Sequence, residues 1–270
     1  MSEYNYNYHD DNFSLDEAHG YTLLIQIEKT SFSYAITDQD KLVACADMHP
    51  LDELINPQEL LDLLSANYKN VVIGLPANGF TLVPQALFNH ERVTDFARFL
   101  DVKAGEKISA QILDSDNTIV YKTDEGVVNA AEEFGLRNTV FASKGWITAI
   151  AQNNPADTDL FLHINNGIAE FTAFKTGKLR FYNRFEFQNN EELTYFTALV
   201  TQELNLQPAD ISVYLSGDID ADGESIARLA EFFGKVELNN LQVVQMPREI
   251  NSHKVLSLAA LFLCVSSEAV

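Results

Sequence analysis

The sequence predicts an α/β fold with mixed sheets, built from two copies of one βββαβ unit in two lobes. Three observations carry that reading. Strand-like segments separated by polar or glycine-bearing turns occur in threes, and they do so twice along the chain. Each triplet is followed by a stretch with helical apolar spacing and then by a short continuous apolar run of the kind a buried parallel strand shows. The two copies are offset by about 137 residues, and self-similarity at a fixed offset reads as an internal duplication. With 270 residues, 46% of them hydrophobic, the chain can bury a sizeable core in one large domain or two smaller ones.

Residues 1–18 are rich in Tyr, Asn and Asp and read as a flexible tail, with the lobes expected over 19–154 and 155–270. Tyr21 to Glu28, Phe32 to Thr37 and Leu42 to Asp47 are β-branched and aromatic and form three antiparallel strands, the last after the polar turn Asp38-Gln39-Asp40. A helix with Pro57 near its first turn follows through Leu60, Leu61, Leu63 and Leu64, and then the buried strand Asn70 to Leu75. Val93 to Leu100 reads as a helix, Ile108 to Leu113 and Thr118 to Lys122 as a hairpin, Glu125 to Phe134 as a helix, Arg137 to Ala142 as an extended segment and Ser143 to Gln152 as a helix. The second copy runs through Asp159 to Ile164, Ile168 to Phe174 and Leu179 to Phe187, with turns at Asn165-Asn166-Gly167 and Thr176-Gly177. The helix Glu191 to Leu206 and the strand Ile211 to Leu215 complete it. Glu224 to Phe233 is expected helical, Val243 to Gln245 a short strand and Val255 to Val265 an apolar closing helix.

The formal net charge is −21 at pH 7. A field of that sign repels phosphate backbones and anionic lipid, so nucleic-acid binding is not expected, and no basic patch offsets it. No apolar run approaches the roughly 20 residues of a membrane span, so membrane insertion is not expected either. The first 20 residues lack a basic, apolar leader, and Cys45 and Cys264 sit in apolar stretches as reduced thiols would. The expected compartment is the cytoplasm.

Three further stretches carry a family resemblance. Ile25-Gln26-Ile27-Glu28-Lys29-Thr30-Ser31, His163-Ile164-Asn165-Asn166-Gly167 and Leu215-Ser216-Gly217-Asp218 lie at the strand ends of the duplicated unit. Two joined βββαβ units resemble the duplicated, ribonuclease H-like fold of the actin, sugar kinase and heat-shock ATPase superfamily. The likeness is to its pilus-assembly branch in particular, where the three stretches read like I-D-I-G-S-S, D-I-G and L-S-G-G. Val71 to Phe88 also looks like the strand, proline and second strand of that branch. The chain is thereby similar to an uncharacterised bacterial family of actin-like fold.

The resemblance implies ATP and magnesium held by glycine turns and aspartates, and here the residues depart from it. Gln26 and His163 stand where the aspartates belong, and Glu28 and Asn165 where the first glycines belong. An unpaired Glu28 carboxylate would repel a phosphate, and loss of both metal carboxylates removes the means of neutralising charge in phosphoryl transfer. What is left of a degenerate nucleotide cleft is Lys29, Thr30, Ser31, His163, Asn165, Gly167 and Gly217. No catalytic residue and no metal site is assigned, and no bound cofactor is expected, ATP with magnesium being the minor alternative. The leading expectation is a non-catalytic actin-like pseudo-ATPase that serves as a protein-binding or scaffold module. A protein partner is expected, and a homodimer is a further option. The alternative is an ATP-binding enzyme or sensor of the same superfamily.

Other motifs have plainer readings. Asp218 to Gly223 opens like a calcium loop, but its twelfth position is Leu229 rather than Glu, so Asp220 or Asp222 is expected to cap the following helix. His163 is expected to be structural, since no orienting carboxylate or nucleophile stands near it in sequence. Asp114, Asp116 and Asn117 form a polar hairpin tip, and Trp146 is expected in a packed interior. The Tyr4-Asn5-Tyr6-Asn7-Tyr8 run is either a docking element or an inert terminus.

Overall fold

The computed structural model describes residues 6–133 and 139–265. Two compact units emerge: Met1–Thr148 with Val243–Ile250 and Leu258–Val270, and Ala149–Gln242 with Asn251–Ser257. A single lobe boundary at 154 therefore does not describe the chain, because its last segments return to the first unit.

The first unit contains, in order, β1 (Asn7–His9), β2 (Tyr21–Ile27), β3 (Ser31–Asp38), β4 (Lys41–Pro50), α1 (Leu51–Ile55), α2 (Leu61–Ser65) and β5 (Asn70–Leu75). It continues with β6 (Gly79–Pro84), α3 (Val93–Ala97), β7 (Glu106–Ile112), β8 (Asn117–Asp124), α4 (Glu125–Glu133), β9 (Thr139–Phe141) and the start of α5 (Lys144–Gln152). The main sheet runs β1-β4-β3-β2-β5-β9, with β2, β3 and β4 antiparallel and β5 and β9 parallel to β2. All seven residues of β2 are buried, because both faces of the strand are covered. On one face Leu23, Ile25, Ile27, Phe32, Tyr34 and Ile36 form a core with Leu54, Leu63 and Leu64 of the short helices. β6, β8 and β7 make a separate antiparallel sheet whose core, Val83 and Val120, is closed by Ala97 of α3.

Two expectations are corrected here. The tail over 1–18 is not free where the structure describes it: Asn7, Tyr8 and His9 pair with Ala46, Cys45 and Ala44, and Leu15–Gly20 forms a 3₁₀ turn. Alternation of Tyr and Asn is a period-two strand pattern, and the outer edge of β4 offers the unpaired backbone groups it needs. Tyr4 and Asn5 lie outside the described residues. The helix expected from Pro57 through Leu64 begins only at Leu61, as α2, and a separate short helix, α1, precedes Pro57. There the Glu53 carboxylate accepts the backbone N–H groups of Gln58, Glu59 and Leu60 at 3.0, 3.0 and 3.2 Å, capping the entry to α2.

One side chain closes an edge. Gln111 Nε2 donates to the Thr139 carbonyl and Phe141 N–H donates to Gln111 Oε1, both at 2.9 Å, so the amide of Gln111 stands beside β9 as a peptide group would. In the small sheet the Lys122 ammonium is nearly buried, with Glu106 at 2.9 Å and the Asp101 carbonyl at 3.0 Å.

The second unit contains β10 (Asp159–Asn165), β11 (Ile168–Lys175), β12 (Lys178–Glu186), α6 (Asn190–Glu203), β13 (Ser212–Gly217), α7 (Glu224–Ala230), β14 (Lys235–Leu238) and the start of α8 (Ser252–Ala260). Its order, β12-β11-β10-β13-β14, repeats β4-β3-β2-β5-β9 strand for strand, with the same two antiparallel and two parallel pairings. The duplicated order is thus present, with β6 to α4 inserted into the first copy. α6 packs Leu193 and Val200 onto Leu160, Leu162, Phe171 and Leu215. Its entry is capped by Asn189, which accepts from Glu192 N–H at 2.9 Å.

Val243 to Gln245 is no strand. Gln245 makes one isolated bridge to Lys41, and the regular strand is β14, whose alternation over four residues is too short to stand out in sequence. The closing helix begins earlier than expected, at Ser252, and ends in a 3₁₀ turn over Leu261–Cys264. Phe134 and the first residues of the Arg137 to Ala142 segment lie outside the described residues.

Candidate functional site

In the first unit the β2–β3 turn holds Lys29, Thr30 and Ser31. Ile27 and Phe32 are the last paired residues, and Glu28 N–H donates to the Ser31 carbonyl at 2.9 Å, which leaves Lys29 and Thr30 exposed at the tip. Ser31 is buried, and its hydroxyl donates to Glu28 Oε2 at 3.3 Å. The hydroxyl that sequence offered to a phosphate is therefore engaged by the carboxylate that would repel one. Gln26, one turn-ward step back on the same face, is 9% exposed, and its Oε1 has no hydrogen-bond partner among the described residues.

In the second unit, parallel pairing places His163 beside Ser216 and Ile164 beside Gly217 at the carboxyl ends of β10 and β13. Ser216 Oγ donates its one proton to the Leu162 carbonyl at 3.1 Å. It can then only accept from His163 Nδ1, 3.3 Å away, which fixes Nδ1–H as the donor. Burial pushes the imidazole below its ordinary range, the nearby Glu170 opposing, so His163 is neutral at pH 7. The Ser216 hydroxyl thus links the imidazole of β10 to a backbone carbonyl of the same strand. Ser216 is the partner that sequence reasoning missed, and only strand register reveals it.

Gly217 has φ +92°, and a Cβ there would lie 2.0 Å from the Ile164 carbonyl oxygen and 3.0 Å from His163 Cε1. Glycine is required at this point by the chain's own backbone. Asn165 pairs with Ile168, and Asn166 (φ 48°) with Gly167 (φ 73°) makes the left-handed two-residue turn a hairpin favours. The glycine of that turn is accounted for by turn geometry.

The acidic loop after β13 is also engaged. Asp220 Oδ1 accepts from Lys254 Nζ at 2.9 Å, and this contact holds the Asp220 carboxyl below its ordinary range. Neither Asp220 nor Asp222 caps α7, contrary to expectation: Gly223, which has no side chain to offer, occupies the cap position, and its N–H donates to the Asp220 carbonyl at 3.0 Å. Asp114 is likewise more than a solvated tip, its Oδ1 accepting from Asp116 N, Asn117 N and Asn117 Nδ2 at 2.8, 2.7 and 3.0 Å. Trp146 is fully buried. Among the described residues no group of three or more His, Cys, Asp or Glu side chains is gathered as a metal would require. No helix among them is long and apolar enough to cross a membrane.

Residues 10–236 match the family model described as protein of unknown function, DUF3822. The chain belongs to the DUF3822 family. Among solved structures this DUF3822 chain is similar to a Bacteroides thetaiotaomicron protein of actin-like ATPase fold and unknown function, with 18% identity, a TM-score of 0.78, and coverage of 93% of this chain and 99% of that one. It is also similar to the PilM–PilN type IV pilus biogenesis complex, with 14% identity, a TM-score of 0.63, and coverage of 91% and 98%. Among curated proteins none matches. The fold of this DUF3822 chain is therefore the actin-like ATPase fold, with the two mixed sheets of the duplicated unit.

Proposed function

We propose that this protein is a non-catalytic, actin-like pseudo-ATPase that works in the cytoplasm as a protein-binding or scaffold module. One observation carries the reading: of the groups that would meet phosphate, the Ser31 hydroxyl and the Gly217 backbone are engaged inside the protein, and Lys29 and Thr30 alone stand exposed at the β2–β3 tip. Ser31 is bound by Glu28, and a Cβ on Gly217 would fall on the Ile164 carbonyl, so that glycine is accounted for by the chain's own backbone. The PilM neighbour, whose structure is a complex with PilN, supports a fold used to hold another protein. An actin-like ATP-binding enzyme or sensor is the competing reading, and the exposed Lys29 is the cation it would use.

Isothermal titration with ATP and ADP, with and without magnesium, separates the two. The pseudo-ATPase reading expects no heat and no thermal shift at millimolar nucleotide. Micromolar binding, or magnesium-dependent turnover abolished by Lys29→Ala, would overturn it.

A further inference from the structure

The outer edge of β4 carries a recognition surface with its own occupant already in place. β1 covers only three residues of the ten-residue strand, at Ala44, Cys45 and Ala46, and the pairing is extended at one end by Asp10 N–H donating to the Val43 carbonyl at 2.8 Å. Beyond the other end Tyr6 reaches toward buried polar groups: its N–H donates to Asp47 Oδ1 at 3.4 Å, and Ser33 lies near its side chain. Asp47 and Ser33 are 4% and 7% exposed, so the recess that takes this tyrosine is built from interior residues. Burial, with Asp47 and Cys45 nearby, pushes the Tyr6 hydroxyl well above its ordinary range.

Two features make this occupant exchangeable. In its sequence Tyr and Asn alternate over Tyr4-Asn5-Tyr6-Asn7-Tyr8, so a slip of two residues in one direction would set Tyr4 and Tyr6 where Tyr6 and Tyr8 stand, and such weakly specified strands are prone to slip and swap. Its outward residues Asn7 and His9 are exposed, and an exposed turn at Asp11 and Asn12 separates it from Phe13, whose ring stacks on Tyr21 at 5.9 Å. The segment can leave at that turn while Phe13 stays anchored. Any second copy of this chain brings an identical strand, so exchange recreates the same hydrogen bonds and costs little.

We propose that the β4 edge is a strand-docking site and that the N-terminal segment of a second copy is the partner that fits it, giving a strand-exchanged dimer. This inference is independent of whether the chain binds nucleotide.

The test uses the full-length protein and a fluorescent synthetic peptide of residues 1–10, with anisotropy as the readout. Because the resident strand competes, apparent affinity scales with the fraction of open sites. Tyr6→Ala in the protein should therefore raise affinity for the wild-type peptide at least about tenfold. The same substitution placed in the peptide should abolish competition, an arm that does not depend on how any protein variant folds. Unlabelled full-length protein should displace the peptide as its own segment exchanges in. No peptide binding to either protein at millimolar concentration, or binding indifferent to Tyr6→Ala on both sides, would overturn the proposal.

Discussion

Gly217 illustrates how one residue can carry two meanings that only geometry separates. In sequence it reads as a backbone opened to a ligand, and in the structure its missing Cβ is what lets Asp218 N–H reach the Ile164 carbonyl at 2.7 Å. Gly217→Ala combines a contact of 2.0 Å with a φ of +92°, so it should destabilise the second unit by about 2–4 kcal/mol. A urea midpoint unchanged by this substitution would show that the strand end yields and that the glycine is there for something else. Gln26 and Glu28 stand out in the sequence because the resemblance implies an aspartate and a glycine at those places. The engagement of Ser31 by Glu28 and of His163 by Ser216 does not, since each depends on which side chains neighbouring strands place side by side, 3 residues apart in the first case and 53 in the second.

At the scale of elements, the repeated strand triplets, α6 and the parallel strands β5 and β13 were readable, because each is long enough for its period to show and is bounded by turn residues. β1, β14, the short helix α1 and the late start of α2 were not. A strand of three or four residues has no measurable period, and the entry to α2 rests on Glu53 reaching forward rather than on a residue at the usual cap position. The small sheet of β6, β7 and β8 rests on a comparable interior contact. Glu106 accepts from Lys103 N–H, Lys122 Nζ and Asn78 Nδ2, and these bonds lower its carboxyl to about 2. A carboxyl depressed on folding contributes stability that is present above its ordinary pKa of 4.5 and is lost as pH falls toward 2. Melting temperatures of the wild type and of Glu106→Gln should therefore differ most at neutral pH and converge as pH drops from about 4.5 to 2. A gap that does not shrink at all between neutral pH and pH 2.5 would show that the ion pair is not its source.

For the whole molecule, the net charge of −21 bears on stability as well as on partners. Like charges crowd together when the chain folds, and added salt relieves that repulsion over a Debye length of about 10 Å at 0.1 M. Raising sodium chloride from 10 to about 300 mM should raise the melting temperature, and a fall would mean that attractive pairs such as Lys41–Asp10 outweigh the repulsion. The duplication was visible in the sequence, whereas the division into units was not: Val243–Ile250 and Leu258–Val270 join the first unit through contacts with residues some two hundred positions earlier, as when Gln245 N–H donates to the Asp40 carbonyl at 2.6 Å. Gln111 leaves one more consequence. With its amide seated at Thr139 and Phe141, the β9 side of the first sheet presents a terminated row, so this sheet grows from one side only. A row of backbone groups closed by a side-chain amide offers no template to another strand, so further pairing on this sheet has one side open to it rather than two.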